Sequence, residues 1–279
     1  MLATLGEHTV VAEPFPHVVI DGVFDPATYR ALADSFPVCP PASGPTGFTI
    51  HRGDPQFDTV MQDHPVWRAL YETCRAPAFL GTLTALFADE IERSAFLAPS
   101  QLTSADHVET RVEKEREVLA PLVHIAVEDI FLRFDFMQGG DSYGRAPHLD
   151  HRRRLATVLL YFDAPSPETF AGGDLVLHAS DGRIVRRIAP AENRAVLFPC
   201  SERSWHSVDQ VHACRQPRRF VQISLTSRYA VWPDATLPGT AVPRRGGRAR
   251  AVARRLLGAL LDASPKQPGG ISAAKDNRR

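Results

Sequence analysis

The second half of the chain carries a series of short apolar or alternating runs, and this series restricts the possible folds more than any other feature. The runs are separated by clusters of Gly, Asp, Pro and Ser, and they read IFLRFDFM, RLATVLLYF, GDLVLHA, GRIVRRI, RAVLFP and RFVQISLTSRY. Short strands at this spacing are typical of antiparallel sandwiches and barrels. We therefore expect a mainly β core at about 126–232.

The first half shows helical spacing instead. Asp25 followed by Pro26 is a typical helix start, because the aspartate caps the helix and proline suits its first position. Apolar residues recur at helical intervals over 66–91, where Pro77 is expected to divide two helices. The pattern predicts an α+β protein in which helices at about 1–125 support the β core.

The remaining segments are predicted to be irregular. Two stretches, 38–58 and 97–120, are expected to be long loops that shape a substrate pocket. The end of the chain, 236–279, is rich in Arg, Gly and Ser, and we expect a basic tail that is partly helical and then disordered. The rest, 1–235, is predicted to form one domain.

Composition excludes several classes of protein. The net charge of +0 gives no overall field that would attract nucleic acid. No apolar run approaches the roughly 20 residues needed for a transmembrane segment. The four cysteines are scattered without a Cys-x-x-Cys pair, so we predict neither a structural zinc site nor a disulfide framework. With no signal peptide in the sequence, a cytoplasmic location is expected. The oligomeric state is not predicted.

The triplet His148-Leu149-Asp150 stands directly before one of the apolar runs. Residues two apart in a strand point to the same face, so this imidazole and this carboxylate could meet at one point. His206, in SERSWHSVDQV, is a candidate for a third ligand. Two imidazoles and one carboxylate form the facial triad of non-heme Fe(II) oxygenases. Taken alone, His-x-Asp is common by chance, and a polar loop before a strand is the simpler interpretation.

The surrounding sequence strengthens the metal-site interpretation. The pair Gly172-Gly173 precedes the run DLVLH, and Arg219 heads a late run 13 residues after His206 (219 − 206). A buried arginine at that point could bind a dicarboxylate through two parallel hydrogen bonds. These features in a fixed order are much harder to obtain by chance than the triplet alone.

With this combination the sequence resembles the Fe(II)/2-oxoglutarate-dependent dioxygenases, specifically their prolyl-4-hydroxylase-like branch. The likeness covers PFPHVVIDGVFDPATYRALADSFP and the block from about Leu132 to Arg228. It implies a double-stranded β-helix core, a cupin-like jelly roll of two antiparallel sheets. It also implies Fe(II) as cofactor, 2-oxoglutarate and O₂ as cosubstrates, and ascorbate as a reductant in vitro.

The resemblance assigns roles by position. It implies three iron ligands: His148, Asp150 and His206. Arg219 best matches the residue that binds the far carboxylate of 2-oxoglutarate, with Arg218 as the alternative; if one points inward, the other points outward. Tyr161 falls where a tyrosine hydroxyl helps to hold that carboxylate. The turn RQPRRF departs from the glycine–arginine turn of many members and leaves the arginine register open.

The implied activity is hydroxylation of an unactivated C–H bond, with decarboxylation of 2-oxoglutarate to succinate and CO₂. Related halogenases carry a small residue at the carboxylate position, so Asp150 favours hydroxylation, or desaturation or ring formation. We expect a small-molecule substrate. One alternative is a hydroxylase of prolyl or other residues in a protein, which would need an open groove. The other is a non-catalytic jelly-roll binding module, in which the three ligands would not converge.

Overall fold

The computed structural model describes residues 8–39, 46–109, 127–233 and 235. Within these ranges five helices form: α1 (Pro26–Asp34), α2 (Pro55–Asp63), α3 (Pro65–Arg75), α4 (Pro77–Leu86) and α5 (Ala88–Ser94). Eleven strands accompany them: β1 (Val18–Asp21), β2 (Phe48–His51), β3 (Leu102–Ala105), β4 (Glu128–Gly139), β5 (Arg145–His148), β6 (Arg154–Tyr161), β7 (Leu175–His178), β8 (Ile184–Ile188), β9 (Arg194–Pro199), β10 (His206–Val208) and β11 (Arg218–Ser227).

The strands form two sheets. The larger sheet has the order β1-β9-β6-β11-β4-β2, and β3 pairs in parallel with β4. The smaller sheet has the order β5-β10-β7-β8 and is antiparallel throughout. Apolar residues of both sheets, such as Leu177 and Val196, pack in one cluster between them. The predicted α+β jelly roll with helical support is confirmed, except that the larger sheet is mixed, because β3 joins it in parallel.

The helices cover the outer face of the larger sheet. Trp67 of α3 is fully buried, and its ring centroid lies 4.8 Å from that of Phe136 on β4. Phe134, two residues earlier on the same strand, also contacts this indole. Burial of one large apolar side chain contributes about 1.5–3 kcal/mol, so this cluster fixes the helices on the sheet.

The structure confirms the start of the first helix and corrects the segments that follow. The Asp25 carboxylate accepts hydrogen bonds from the first turn of α1, as predicted. The break at Pro77 is also present, but Phe87 separates a further helix, α5, so three helices rather than two occupy 66–91.

The stretch 38–58 is not wholly a loop. It contains β2, which pairs with β4, and the start of α2. Phe57 and Val60 of α2 are buried, and this burial explains why a Pro- and Gly-rich stretch still forms regular structure. The second predicted loop, 97–120, begins with a short 3-10 helix and β3.

Several predictions fall wholly or partly outside the described residues. These are the basic tail at 236–279 and the parts of the two predicted loops at 40–45 and 110–120. The single domain at 1–235 stays a prediction. None of the helices in the described ranges combines the length and the apolar character of a membrane span.

Candidate metal centre

The smaller sheet brings the two predicted histidine ligands together. His206 on β10 pairs in register with His148 at the end of β5, and their ring centroids lie 4.4 Å apart. Asp150 follows two residues later. One ligand atom from each of these three residues lies within 4.8 Å of the others. The three side chains therefore converge on one point and could hold one ion.

Backbone carbonyls orient both imidazoles. Nδ1 of His148 lies 2.8 Å from the carbonyl oxygen of Ala146, and Nδ1 of His206 lies 2.8 Å from that of Ser204. Because a carbonyl only accepts, Nδ1 carries the proton and Nε2 keeps its lone pair for a metal. Burial lowers the pKa of His206 to about 4, so this ring is neutral near pH 7 and ready to ligate.

Asp150 lies just beyond β5, in the connection to β6, and not within a strand as the triplet pattern suggested. Its Oδ1 accepts a hydrogen bond from Arg154 at 2.5 Å, and its Oδ2 accepts one from Thr157 at 2.8 Å. Burial alone raises the pKa of this carboxyl, but the Arg154 guanidinium and the two imidazoles outweigh it and hold the pKa below its usual value. The group is therefore a carboxylate at neutral pH.

The turn before His206 is fixed by the helical layer. The buried carboxylate of Glu90 on α5 accepts hydrogen bonds from Ser201 at 2.7 Å and from Arg203 at 2.7 Å. Ser204 closes the same turn through its hydroxyl, which donates to the Ser201 carbonyl at 2.9 Å. Since the Ser204 carbonyl orients His206, Glu90 links α5 to a candidate ligand. No pattern in the sequence indicated a role for Glu90.

A cavity of about 570 Å³ opens beside the converging ligands. Its walls come from both sheets, with Leu175 and Val208 on the smaller sheet facing Leu159 and Phe198 on the larger one. This volume lies within the range of about 300–1,000 Å³ that small-molecule sites occupy. The point where the three side chains converge thus lies in the wall of a pocket that is large enough for a cosubstrate and a further small molecule.

Arg218 carries a buried positive charge into this cavity. Its side chain is only 1% exposed, and its Nε donates to the Gly173 carbonyl at 3.1 Å. Three aromatic rings surround the guanidinium within 4.5–5.6 Å of their centroids: Tyr143, Tyr161 and Phe220. Within the described ranges no carboxylate pairs with it, and its buried Nη1 lacks a hydrogen-bond partner. A buried cation without a partner is energetically costly, and a bound anion would remove that cost.

Arg219 points the other way, which corrects the expected register. Its guanidinium pairs with Asp163 at 2.8 Å and donates to the Ala33 carbonyl of α1 at 3.3 Å. Arg219 therefore lies on the helix-facing side of β11, and Arg218 faces the cavity. The physical reason is strand alternation: the two residues are adjacent, and Arg218 shares its face with Phe220 and Gln222.

Tyr161 lies behind Arg218 and does not line the cavity itself. Its ring centroid is 4.9 Å from the Arg218 guanidinium carbon. Its hydroxyl is buried and lacks a hydrogen-bond partner among the described residues. Burial raises the pKa of this phenol, against the opposing effect of the Arg218 charge, so it stays protonated and can donate.

Residues 133–226 match the model of the 2OG-Fe(II) oxygenase superfamily, and this segment is about a third of the chain. The chain is an enzyme that uses Fe(II), 2-oxoglutarate and O₂. The matched segment runs from β4 to β11 and contains all three converging side chains and Arg218.

Solved structures of other 2OG-Fe(II) oxygenases are similar at low sequence identity. A prolyl 4-hydroxylase from Phytophthora capsici is 19% identical, with 88% of this chain and 68% of that chain covered and a TM-score of 0.46. The epimerase SnoN from nogalamycin biosynthesis is 15% identical, with 83% and 86% covered and a TM-score of 0.44. A prolyl hydroxylase from Trichoplax adhaerens is 14% identical, with 75% and 83% covered and a TM-score of 0.38. No curated protein sequence matches.

The residues of this oxygenase fit the cofactors of its family. Two imidazoles and one carboxylate are the donor set of non-heme Fe(II) sites. The unpaired guanidinium of Arg218 suits the second carboxylate of a dicarboxylic acid.

Proposed function

We propose that this oxygenase hydroxylates an unactivated C–H bond of a small molecule, with His148, Asp150 and His206 as the iron ligands. Arg218, in place of Arg219, binds the far carboxylate of 2-oxoglutarate. The observation that carries the proposal is the pairing of two features in one cavity: a convergent set of two histidines and one aspartate, and a buried arginine without a carboxylate partner.

The size of the cavity favours a small molecule over a protein. It is bounded by both sheets and has a volume of about 570 Å³. A protein substrate would bind along an open groove, since a peptide passes beyond the reacting residue on both sides.

The residues of the chain have three tasks in this reaction. Bound Fe(II) supplies the oxidising chemistry, in which O₂ cleaves 2-oxoglutarate to succinate and CO₂ and oxidises the C–H bond. Arg218 binds and orients 2-oxoglutarate through charge-assisted hydrogen bonds. Tyr161 donates a hydrogen bond from its hydroxyl to the same carboxylate, or its ring supports the Arg218 guanidinium. Thr157 and Arg154 hold the Asp150 carboxylate in position.

The test is succinate formation by the purified protein. Protein supplied with Fe(II), ascorbate and 2-oxoglutarate should form succinate slowly even without the substrate. Asp150→Ala should abolish this reaction and lower the Fe(II) content. Asp150→Asn, which keeps the shape of the side chain, should behave in the same way. Asp181→Ala is the matched control, because its exposed carboxylate lies in the turn before β8.

The outcome can contradict the proposal in two ways. Succinate formation that persists in both Asp150 variants would show that another group binds the iron. Turnover of a protein-derived peptide, with no small molecule accepted in a substrate screen followed by succinate release, would favour the protein hydroxylase.

A further inference from the structure

The cavity has two chemically different ends, and the proposed 2-oxoglutarate site occupies only one of them. Arg218 and Phe220 lie at one end of the cavity face of β11, whereas Gln222 lies further along and pairs across β4 with Asp135. Arg133 on β4 pairs in register with Ser224 on β11. Ser224 is six residues from Arg218, which corresponds to about 20 Å along a strand. A five-carbon dicarboxylate held at the metal and at Arg218 leaves this second end free.

We propose that this second end binds the substrate and that the substrate carries an acidic group, such as a carboxylate or a phosphate, which Arg154 binds. This inference rests on the proposed function, since it concerns the same cavity. Arg154 lines the cavity, and its side chain is 16% exposed. Its one ion-pair partner among the described residues is Asp150, and its buried Nε lacks a hydrogen-bond partner.

When a metal binds Asp150, the positive charge of Arg154 loses part of its compensation by that carboxylate. As a ligand, Asp150 gives its negative charge to the ion, so the guanidinium no longer has that carboxylate to itself. The neighbouring carboxylates Asp135 and Glu109 replace it only in part, because each of them is directly paired with another guanidinium. Arg133 pairs with Asp135 at 2.7 Å and with Glu109 at 3.1 Å, and Glu109 also pairs with Arg153 at 2.6 Å.

A further cation stands at the mouth of the cavity. Arg145 on β5 is exposed, lines the cavity and donates to the Thr46 carbonyl at 3.3 Å. It strengthens a positive field around the opening, and low-dielectric walls focus such a field on an incoming anion. Polar groups complete this end: Thr49 and Gln222 can hydrogen-bond a substrate. An apolar molecule would leave these groups unsatisfied.

The experiment uses two probes that differ in charge and little in shape: methanesulfonate and the neutral dimethyl sulfone. The full chain is loaded with Zn(II), a redox-inert and diamagnetic stand-in for Fe(II), and saturated with 2-oxoglutarate. Calorimetry first measures Zn(II) and 2-oxoglutarate binding. Saturation-transfer NMR on the methyl protons then measures the affinity of each probe. The variants are Arg154→Gln, Arg145→Gln and the control Arg183→Gln, whose side chain is 69% exposed in the turn before β8.

We expect methanesulfonate to bind about tenfold more tightly than dimethyl sulfone, as one charge-assisted contact would give. Arg154→Gln should remove this difference. Arg145→Gln, which leaves the Asp150 contact intact, should reduce it about twofold to threefold. The control Arg183→Gln should retain it in full.

Three results would overturn the inference: equal binding of the two probes, an unchanged preference in both cavity variants, or displacement of methanesulfonate by excess 2-oxoglutarate. Loss of Zn(II) binding in Arg154→Gln, with the preference intact in Arg145→Gln, would also overturn it, since Arg154 would then only position Asp150. Failure of the unaltered chain to bind Zn(II) and 2-oxoglutarate at all would instead contradict the proposed function.

Discussion

The two faces of β11 carry neighbouring arginines with opposite surroundings. On the cavity face, Arg218 is caged by aromatic rings and lacks a carboxylate partner among the described residues. On the helix face, Arg219 is paired with Asp163 and linked to the Ala33 carbonyl. Of these two adjacent residues, Arg218 is therefore available to bind an anion, whereas Arg219 contacts the helical layer.

The surroundings of each arginine determine its role. An arginine whose carboxylate partner has no other ion to bind, such as Arg219 with Asp163, has little to offer a ligand, because binding would first have to break the existing pair. An arginine buried without a partner is costly in the free protein, and a bound anion removes that cost. Substitutions on the two faces should therefore have different consequences, on 2-oxoglutarate binding for the cavity face and on stability for the helix face.

The largest effect is expected for Arg218→Gln. Removal of one partner of a buried charge pair costs about 2–5 kcal/mol, so the affinity for 2-oxoglutarate should fall on the order of 10²- to 10³-fold. Fe(II) affinity should change little, since this side chain does not contact the converging ligands. Anaerobic titration of the Fe(II)-loaded protein with 2-oxoglutarate, followed by its charge-transfer absorption, measures both. Undiminished affinity would mean that another residue binds the carboxylate.

On the helix face, the expected effect is on stability. Val221 is fully buried in the core between the larger sheet and the helices. Val221→Ala should lower the free energy of unfolding by about 2–3 kcal/mol, through lost burial and the cavity left behind. Denaturant unfolding measures this loss. The affinity of the folded protein for 2-oxoglutarate should stay as it was, and a large change would show that the two faces are coupled.

Gly173 offers a smaller and more local perturbation of the cavity face. Its φ is +81°, and a Cβ there would lie 2.9 Å from Cδ of Arg218. Gly173→Ala should therefore push the arginine out of place and lower the affinity for 2-oxoglutarate about tenfold, the equivalent of a strained rotamer. The matched control is Gly81→Ala in α4, where a Cβ meets nothing within 4 Å. Equal affinities for 2-oxoglutarate in the two variants would show that Gly173 does not determine the position of Arg218.

Much of the fold could be predicted because its signals are local. Strand-like runs with turn residues between them indicated the β core, and Asp25 with Pro26 marked the start of α1. Segment 38–58 was harder, since β2 and α2 form there through burial of Phe57 and pairing with β4. Neither contact is visible in a Pro- and Gly-rich sequence, because both depend on partners distant in the chain.

The convergence of the three candidate ligands could be predicted from the sequence, whereas the arginine that faces the cavity could not. Alternation alone separated the residues of β11 into two sets without showing which set faces the cavity. A signal was nevertheless present: Gln222 and Ser224 share the face of Arg218, whereas Val221 and Ile223 share that of Arg219. Polar residues among buried ones indicate the wall of a cavity.

The smallest effect is expected for Arg219→Gln, the direct partner of the first substitution. The Arg219 side chain is 29% exposed, and the backbone N–H of residue 219 also donates to Asp163, at 2.8 Å, and would still do so in the variant. Stability should therefore fall by about 1 kcal/mol or less, as for a partly exposed ion pair. The affinity for 2-oxoglutarate should stay within about twofold of its original value. If Arg219→Gln weakened 2-oxoglutarate binding as strongly as Arg218→Gln, the register of β11 and the assignment of the two arginines would both be wrong.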